Sequence, residues 1–162
     1  MGGASAVRAV AEDPSLADAI VLDGAYANLE EAARGFWYVT GFKSVARMMS
    51  PAAQVGRVWL GKNPKSVDMR SHYAKLRGVP VLFLYGTADE VVPIRSARDC
   101  VESADGQVEW FEGCGHAQGR FAEPERYFAS IVGFLESLGL LQTGPLQEKT
   151  HEPKIITSVS SV

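Results

Sequence analysis

Hydrophobic and polar positions along the chain fall into a short alternation of buried-strand and amphipathic-helix signals. Residues 1–12 read as a helix stopped by Asp13-Pro14, and Ala19-Ile20-Val21-Leu22 follows as four apolar residues without alternation. An unbroken apolar run of that length suits a strand covered on both faces, as in a parallel sheet. Residues 79–85 (Val-Pro-Val-Leu-Phe-Leu-Tyr) and 107–111 (Gln-Val-Glu-Trp-Phe) read as two more strands, with a helix over about 95–103 between them. A last helix spans about 124–138: Pro124 suits its first turn, Tyr127, Phe128, Ile131, Val132, Phe134, Leu135 and Leu138 supply its apolar positions, and Gly139 closes it. Residues 29–76 are rich in aromatics and helix formers, broken by Ser50-Pro51 and Gly61-Lys62-Asn63-Pro64, and read as two or three helices beyond the strand ends. Residues 142–162 are polar, carry Pro145 and Pro153 and lack periodicity, so a mobile tail is expected.

Candidate chemistry lies just after the second and third strands. The strand at 79–85 runs into Gly86-Thr87-Ala88-Asp89-Glu90-Val91-Val92-Pro93, and that at 107–111 into Gly113-Cys114-Gly115-His116. Carboxyl ends of parallel strands are where such sheets collect catalytic groups. Each residue also has a plainer reading: Asp89 as a turn former, His116 as a structural histidine. Their order and spacing, an acid 27 residues before a histidine with one helix between, fit the sequence nucleophile, acid, base. On geometry, a carboxylate oxygen of Asp89 is expected within hydrogen-bond reach of His116 Nδ1.

With these segments the opening Met1-Gly2-Gly3-Ala4-Ser5-Ala6-Val7 resembles the α/β-hydrolase family, in which Met-Gly-Gly commonly follows the nucleophilic serine of a Gly-x-Ser-x-Gly elbow. The resemblance implies a partial α/β-hydrolase fold: a three-layer αβα arrangement with about three parallel strands and a helical cap inserted at about 29–76. Residues 1–141 would form the carboxy-terminal part of that domain. It further implies a serine nucleophile immediately before Met1, hence absent from these 162 residues, with Asp89 as acid, His116 as base and the Met1 backbone NH as one oxyanion donor. The bond cleaved would be an ester, thioester, amide or peptide bond in a small-molecule or peptide acyl substrate, without cofactor or metal. A chain of this kind would be inactive alone, and its first strand would leave an apolar edge unpaired, open to a complementary amino-terminal segment.

Other nucleophiles fit less well. Ser5 lies within the first helix without a preceding strand or a closing small residue, and reads as a small packing residue. Cys114 shares the loop of His116 instead of facing it from its own turn, and Cys100 and Cys114 have no disulfide framework or metal-ligand spacing. His72 carries no pattern and reads as surface or cap packing.

Composition narrows the field further. With 46% hydrophobic and 22% charged residues the chain is ordinary for a globular domain, and a net charge of −3 gives no footprint for nucleic acid. No apolar run approaches a membrane span and no basic-then-apolar leader opens the sequence, so a cytoplasmic location is the expectation, subject to any upstream signal. Alternatives remain: a non-catalytic hydrolase-like binding or regulatory module, one half of a split enzyme, and an interaction protein working through Ser160-Ser161-Val162 as a PDZ-type ligand.

Overall fold

A computed structural model describes residues 2–41, 44, 68–141 and 154–158. Its centre is a four-stranded parallel sheet in the order β3-β2-β1-β4, formed by β1 (Ala19–Asp23), β2 (Val81–Gly86), β3 (Gln107–Phe111) and β4 (Ile155–Ser158). Every residue of β1 and β2 is buried. This agrees with their unbroken apolar sequence, since a parallel strand sandwiched by helices has no solvent face.

One sheet face is covered by α1 (Gly2–Glu12), α3 (Arg70–Lys75) and α4 (Ile94–Ala104); Val7, Val10, Tyr73, Leu76, Ala97 and Cys100 meet Ile20, Leu22, Val81, Phe83 and Tyr85 there. A run of rings, Tyr73, Phe83, Tyr85 and Trp110, crosses this layer with centroids 5.6–5.9 Å apart. Geometry of that kind adds to area burial through the ring quadrupoles. The other face is covered by α6 (Pro124–Ser137), which follows the short α5 (Gly119–Ala122) and packs Tyr127, Phe134 and Leu135 on Val21, Leu82, Leu84 and Phe111.

Two departures from the sequence expectations are informative. First, the excursion after β1 leaves at Asn28 and returns at Asp68, which form an isolated antiparallel bridge. Asn28 caps α2 (Leu29–Val39) by accepting from the amides of Glu30 and Glu31, and those acids suit the positive end of the helix. On the return side, α3 lies on the sheet with Met69, Tyr73 and Leu76 buried, so residues 70–76 belong to the crossover layer and not to a cap. Two aromatics of the expected cap, Phe42 and Trp59, lie outside the described residues, as does Met1.

Second, residues 155–158, expected in a mobile tail, form β4 along the far edge of β1, with Ala19 opposite Ile155 and Leu22 opposite Ser158. The edge expected to be unpaired is therefore covered. Ile155 packs towards one helical layer and Ile156 towards the other, the period-2 division a strand requires. The remainder of 142–162 lies outside the described residues, including Ser160-Ser161-Val162. Among the described residues no helix is long and apolar enough to cross a membrane.

Candidate active site

β2 and β3 end side by side, with Gly86 opposite Phe111, and their following loops are fastened together. Thr87 N donates to Phe111 O at 3.0 Å, Ala88 N to Cys114 O at 2.9 Å, and Gly113 N to the Thr87 hydroxyl at 2.8 Å. Gly86 is required at this seam: a Cβ there would lie 2.1 Å from Cys114 O, inside any permissible contact.

The fastening presents Asp89 to His116. Asp89 Oδ1 accepts from the amides of Val91 and Val92, each at 2.8 Å, which is the turn-forming role, while Oδ2 lies 2.8 Å from His116 Nδ1. The plain and the chemical readings of Asp89 therefore use different oxygens of one carboxylate. Its side chain is 1% exposed and that of His116 17%. With two amides fixing one oxygen, the other has little freedom except towards the imidazole. A neutral His116 whose Nδ1–H donates to Asp89 would carry its acceptor lone pair on Nε2, the tautomer a general base needs.

His116 is held from behind by Gly24, directly after β1. Gly24 has φ +63°, and a Cβ there would lie 2.6 Å from His116 Cε1, so only glycine allows this approach. Ala117, just after the histidine, takes the left-handed conformation at φ +52°, a strain on the order of 1 kcal/mol that tends to accompany functional loops. No described residue hydrogen-bonds His116 Nε2.

The imidazole borders a cavity of about 320 Å³ walled by Phe36 and Val39 of α2, by Val91, and by Glu90 and Gln118. α2 comes this close because Gly35 lies against the Glu90–Val91 backbone, where a Cβ would be 2.5 Å from Glu90 O. The wall is apolar on the α2 side and polar beside the histidine, a division suited to a ligand with an apolar body and one reactive polar group.

Sequence reasoning missed three contributors. Asp23, at the end of β1, is only 5% exposed, and burial raises its carboxyl above the ordinary range against the opposing hydrogen bond from Tyr127 (3.1 Å) and the charge of Arg120. It immediately precedes Gly24, whose backbone lies against the His116 ring, which puts it beside the pair. The signal available was an acid ending a buried strand. Gly24 and Thr87 matter through spatial neighbours, which a linear pattern does not display.

The other candidates are placed elsewhere. Ser5 is exposed on α1, so it neither packs as expected nor enters the site. Cys114 is buried in the cluster beneath α6, and Cys100 is on the buried, sheet-facing side of α4, where desolvation pushes its thiol up to about 11. Cys100 is therefore protonated in ordinary buffers and Cys114 is shielded by burial, so neither is the accessible thiolate a nucleophile requires. His72 lies in α3 beside Ser71, away from this cavity.

Solved structures similar to this one in fold include an esterase from Pyrococcus furiosus (TM-score 0.56, 16% identity, 83% of this chain on 50% of that one). A serine hydrolase involved in carbazole degradation gives TM-score 0.57 at 20% identity, 84% of this chain covering 60% of that one. An α/β-hydrolase from a lagoon-sediment metagenome in Morocco gives 0.56 at 21%, with 84% and 57% covered. The chain has an α/β-hydrolase-like fold. It spans about half to three-fifths of the length of these hydrolases. No protein-family model matches the chain, and no curated protein matches it. Within this hydrolase-like fold the Asp89–His116 pair sits at the carboxyl ends of adjacent strands, bordering the cavity.

Proposed function

We propose that the chain is the acid- and base-bearing portion of a serine hydrolase acting on an ester, thioester, amide or peptide bond, the nucleophile being a serine directly ahead of Met1 in a longer polypeptide or one supplied by a complementary segment. The observation that carries this reading is the 2.8 Å contact between Asp89 Oδ2 and His116 Nδ1 beside an apolar-walled cavity. In such a site His116 Nε2 takes the serine hydroxyl proton as the oxygen attacks the acyl carbon, then delivers it to the departing alcohol, thiol or amine. Water repeats the cycle on the acyl-enzyme and restores the serine. Asp89 fixes the imidazole tautomer and stabilises its positive charge between the two transfers. The backbone NH of Met1, when it is an internal peptide group, supplies one hydrogen bond to the oxyanion.

The apolar wall of Phe36, Val39 and Val91 favours an uncharged acyl or aromatic group in the cavity, with Glu90 disfavouring anionic substrates. The 162-residue chain itself is expected neither to hydrolyse a short activated ester above a His116→Ala control nor to label with a fluorophosphonate. Joining a strand ending in Gly-x-Ser to Met1 is expected to bring both signals, with labelling at the added serine and hydrolysis abolished by His116→Ala. Stoichiometric labelling of the unextended chain at Ser5 would sink this reading.

A second reading, a non-catalytic hydrolase-like module, draws support from β4, which pairs the edge of β1 and is the last strand on that side among the described residues. It expects no serine reactivity in either form.

A further inference from the structure

The far edge of β1 is held by β4, and the handedness of the fold assigns the same slot to another segment. From β1 to β3 the strands step one way across the sheet, through α3 and then α4, both on the face that also carries α1. Parallel crossovers keep one hand, so every crossover using that face steps in that same direction. A parallel strand feeding α1 would therefore lie one step back from β1. That position is the slot held by β4, which arrives from β3 across the opposite face by way of α6.

β4 has the character of a removable seal. It is four residues long, and Ile155 and Ile156 are only half-buried, whereas its partner β1 is buried throughout. Its entry is pinned at one point: Asp18 N donates to Lys154 O and Lys154 N to Asp18 Oδ2, both at 2.8 Å, with Lys154 Nζ on Ser15 O at 3.2 Å. Short strands beginning with lysine are a common means of blunting an exposed edge.

Building on the serine-hydrolase reading above, we propose that the far edge of β1 is a strand-exchange site. The carboxy-terminal strand β4 seals it in the present chain and is displaced when the parallel strand that enters α1, bearing the nucleophile, docks in its place. The tail is on this account an internal competitor of the strand that completes the active site. Two segments cannot occupy one hydrogen-bonding edge, so assembly of the nucleophile and release of β4 are the same event.

The test uses cysteine pairs at opposed positions of β1 and β4, Ala19→Cys with Ile155→Cys and, separately, Leu22→Cys with Ser158→Cys, because a cross-link reports this pairing and not merely order in the tail. Each pair is made in the 162-residue chain and in the same chain extended before Met1 by a β-branched strand ending in Gly-x-Ser. Oxidised glutathione is expected to close an intramolecular disulfide in both unextended variants, and the extension to abolish it in both. A disulfide that persists in the extended chain overturns the exchange, even if that chain labels with fluorophosphonate. Failure of both pairs to close in the unextended chain also overturns it, as does a cross-linked dimer, which would make the occupant a second copy. Loss of the cross-link without any labelling leaves the exchange standing and counts against the hydrolase reading alone.

Discussion

The two ends of the sheet are secured in different ways. At the β2–β3 side, the loops carrying Asp89 and His116 are tied by three hydrogen bonds from Thr87, Ala88 and Gly113, by a glycine seam at Gly86 and by a carboxylate that serves three partners. At the β1 edge, one short and half-buried strand closes the sheet. Groups that must hold a proton-transfer geometry are over-determined by their surroundings, while a segment meant to exchange is short and only partly buried. The difference is the physical basis for reading the first region as chemistry and the second as a replaceable edge.

The largest effect expected from breaking this contrast is at Asp89. In a form carrying the nucleophile, Asp89→Asn leaves an oxygen for the Val91 and Val92 amides but turns an NH₂ towards His116 Nδ1, reversing the imidazole tautomer. A fall of about 10⁴ in kcat is expected, with little change in the urea midpoint. Equal losses of activity and stability would mean that Asp89 serves only the turn.

Next in size is a pair of core truncations. Phe83→Ala in β2, where the ring is fully buried, is expected to cost about 4 kcal/mol in denaturant unfolding. Ile156→Ala in β4 should cost about 1 kcal/mol, being half-buried on an edge strand. Amide exchange should follow the same order, fast at 155–158 and slow at 81–86. Equal costs at the two positions would remove the distinction between the fixed and the replaceable side of the sheet.

A smaller effect, about 2 kcal/mol, is expected for Gly86→Ala, whose methyl must push the Cys114 carbonyl aside. The same displacement lengthens the Asp89–His116 contact, so the His116 imidazole resonances should broaden or shift in NMR spectra. Unchanged resonances would show that the two loops are not held through this seam.

How much of this was legible in the sequence follows the same division. β3 occupies the residues its apolar run predicts, and Asp89 and His116 could be paired because two strand ends and one intervening helix are local patterns. β4 was hidden: Ile155-Ile156-Thr157 is too short to establish a period, it follows Pro153 in a polar region, and its partner β1 is 136 residues away at the Lys154–Asp18 junction. The packing demands at Gly24, Gly35 and Gly86 were hidden for a related reason. Each is set by an atom from a distant segment, so a glycine there reads as a turn former or a weak helix residue until the fold supplies the neighbour.

The smallest effect is a pH dependence at Asp23, on the boundary between the two regions. Burial disfavours its carboxylate, so the folded protein holds the Asp23 proton more tightly than the unfolded chain does. The stability contributed by that proton is fully present below the ordinary value of 3.8 and is lost as the pH rises through the raised folded value. The hydrogen bond from Tyr127 and the charges of Arg120 and His116 oppose the burial, which keeps the effect modest, while Asp89 adds to it. Asp23→Asn keeps an oxygen for the Tyr127 hydroxyl but has nothing to titrate. Compared in urea at about pH 4 and about pH 7, wild type should lose stability relative to the variant as the pH rises. A difference that grows in the opposite direction would mean that the Tyr127 and Arg120 contacts outweigh burial, and that Asp23 enters the site as a settled anion beside His116.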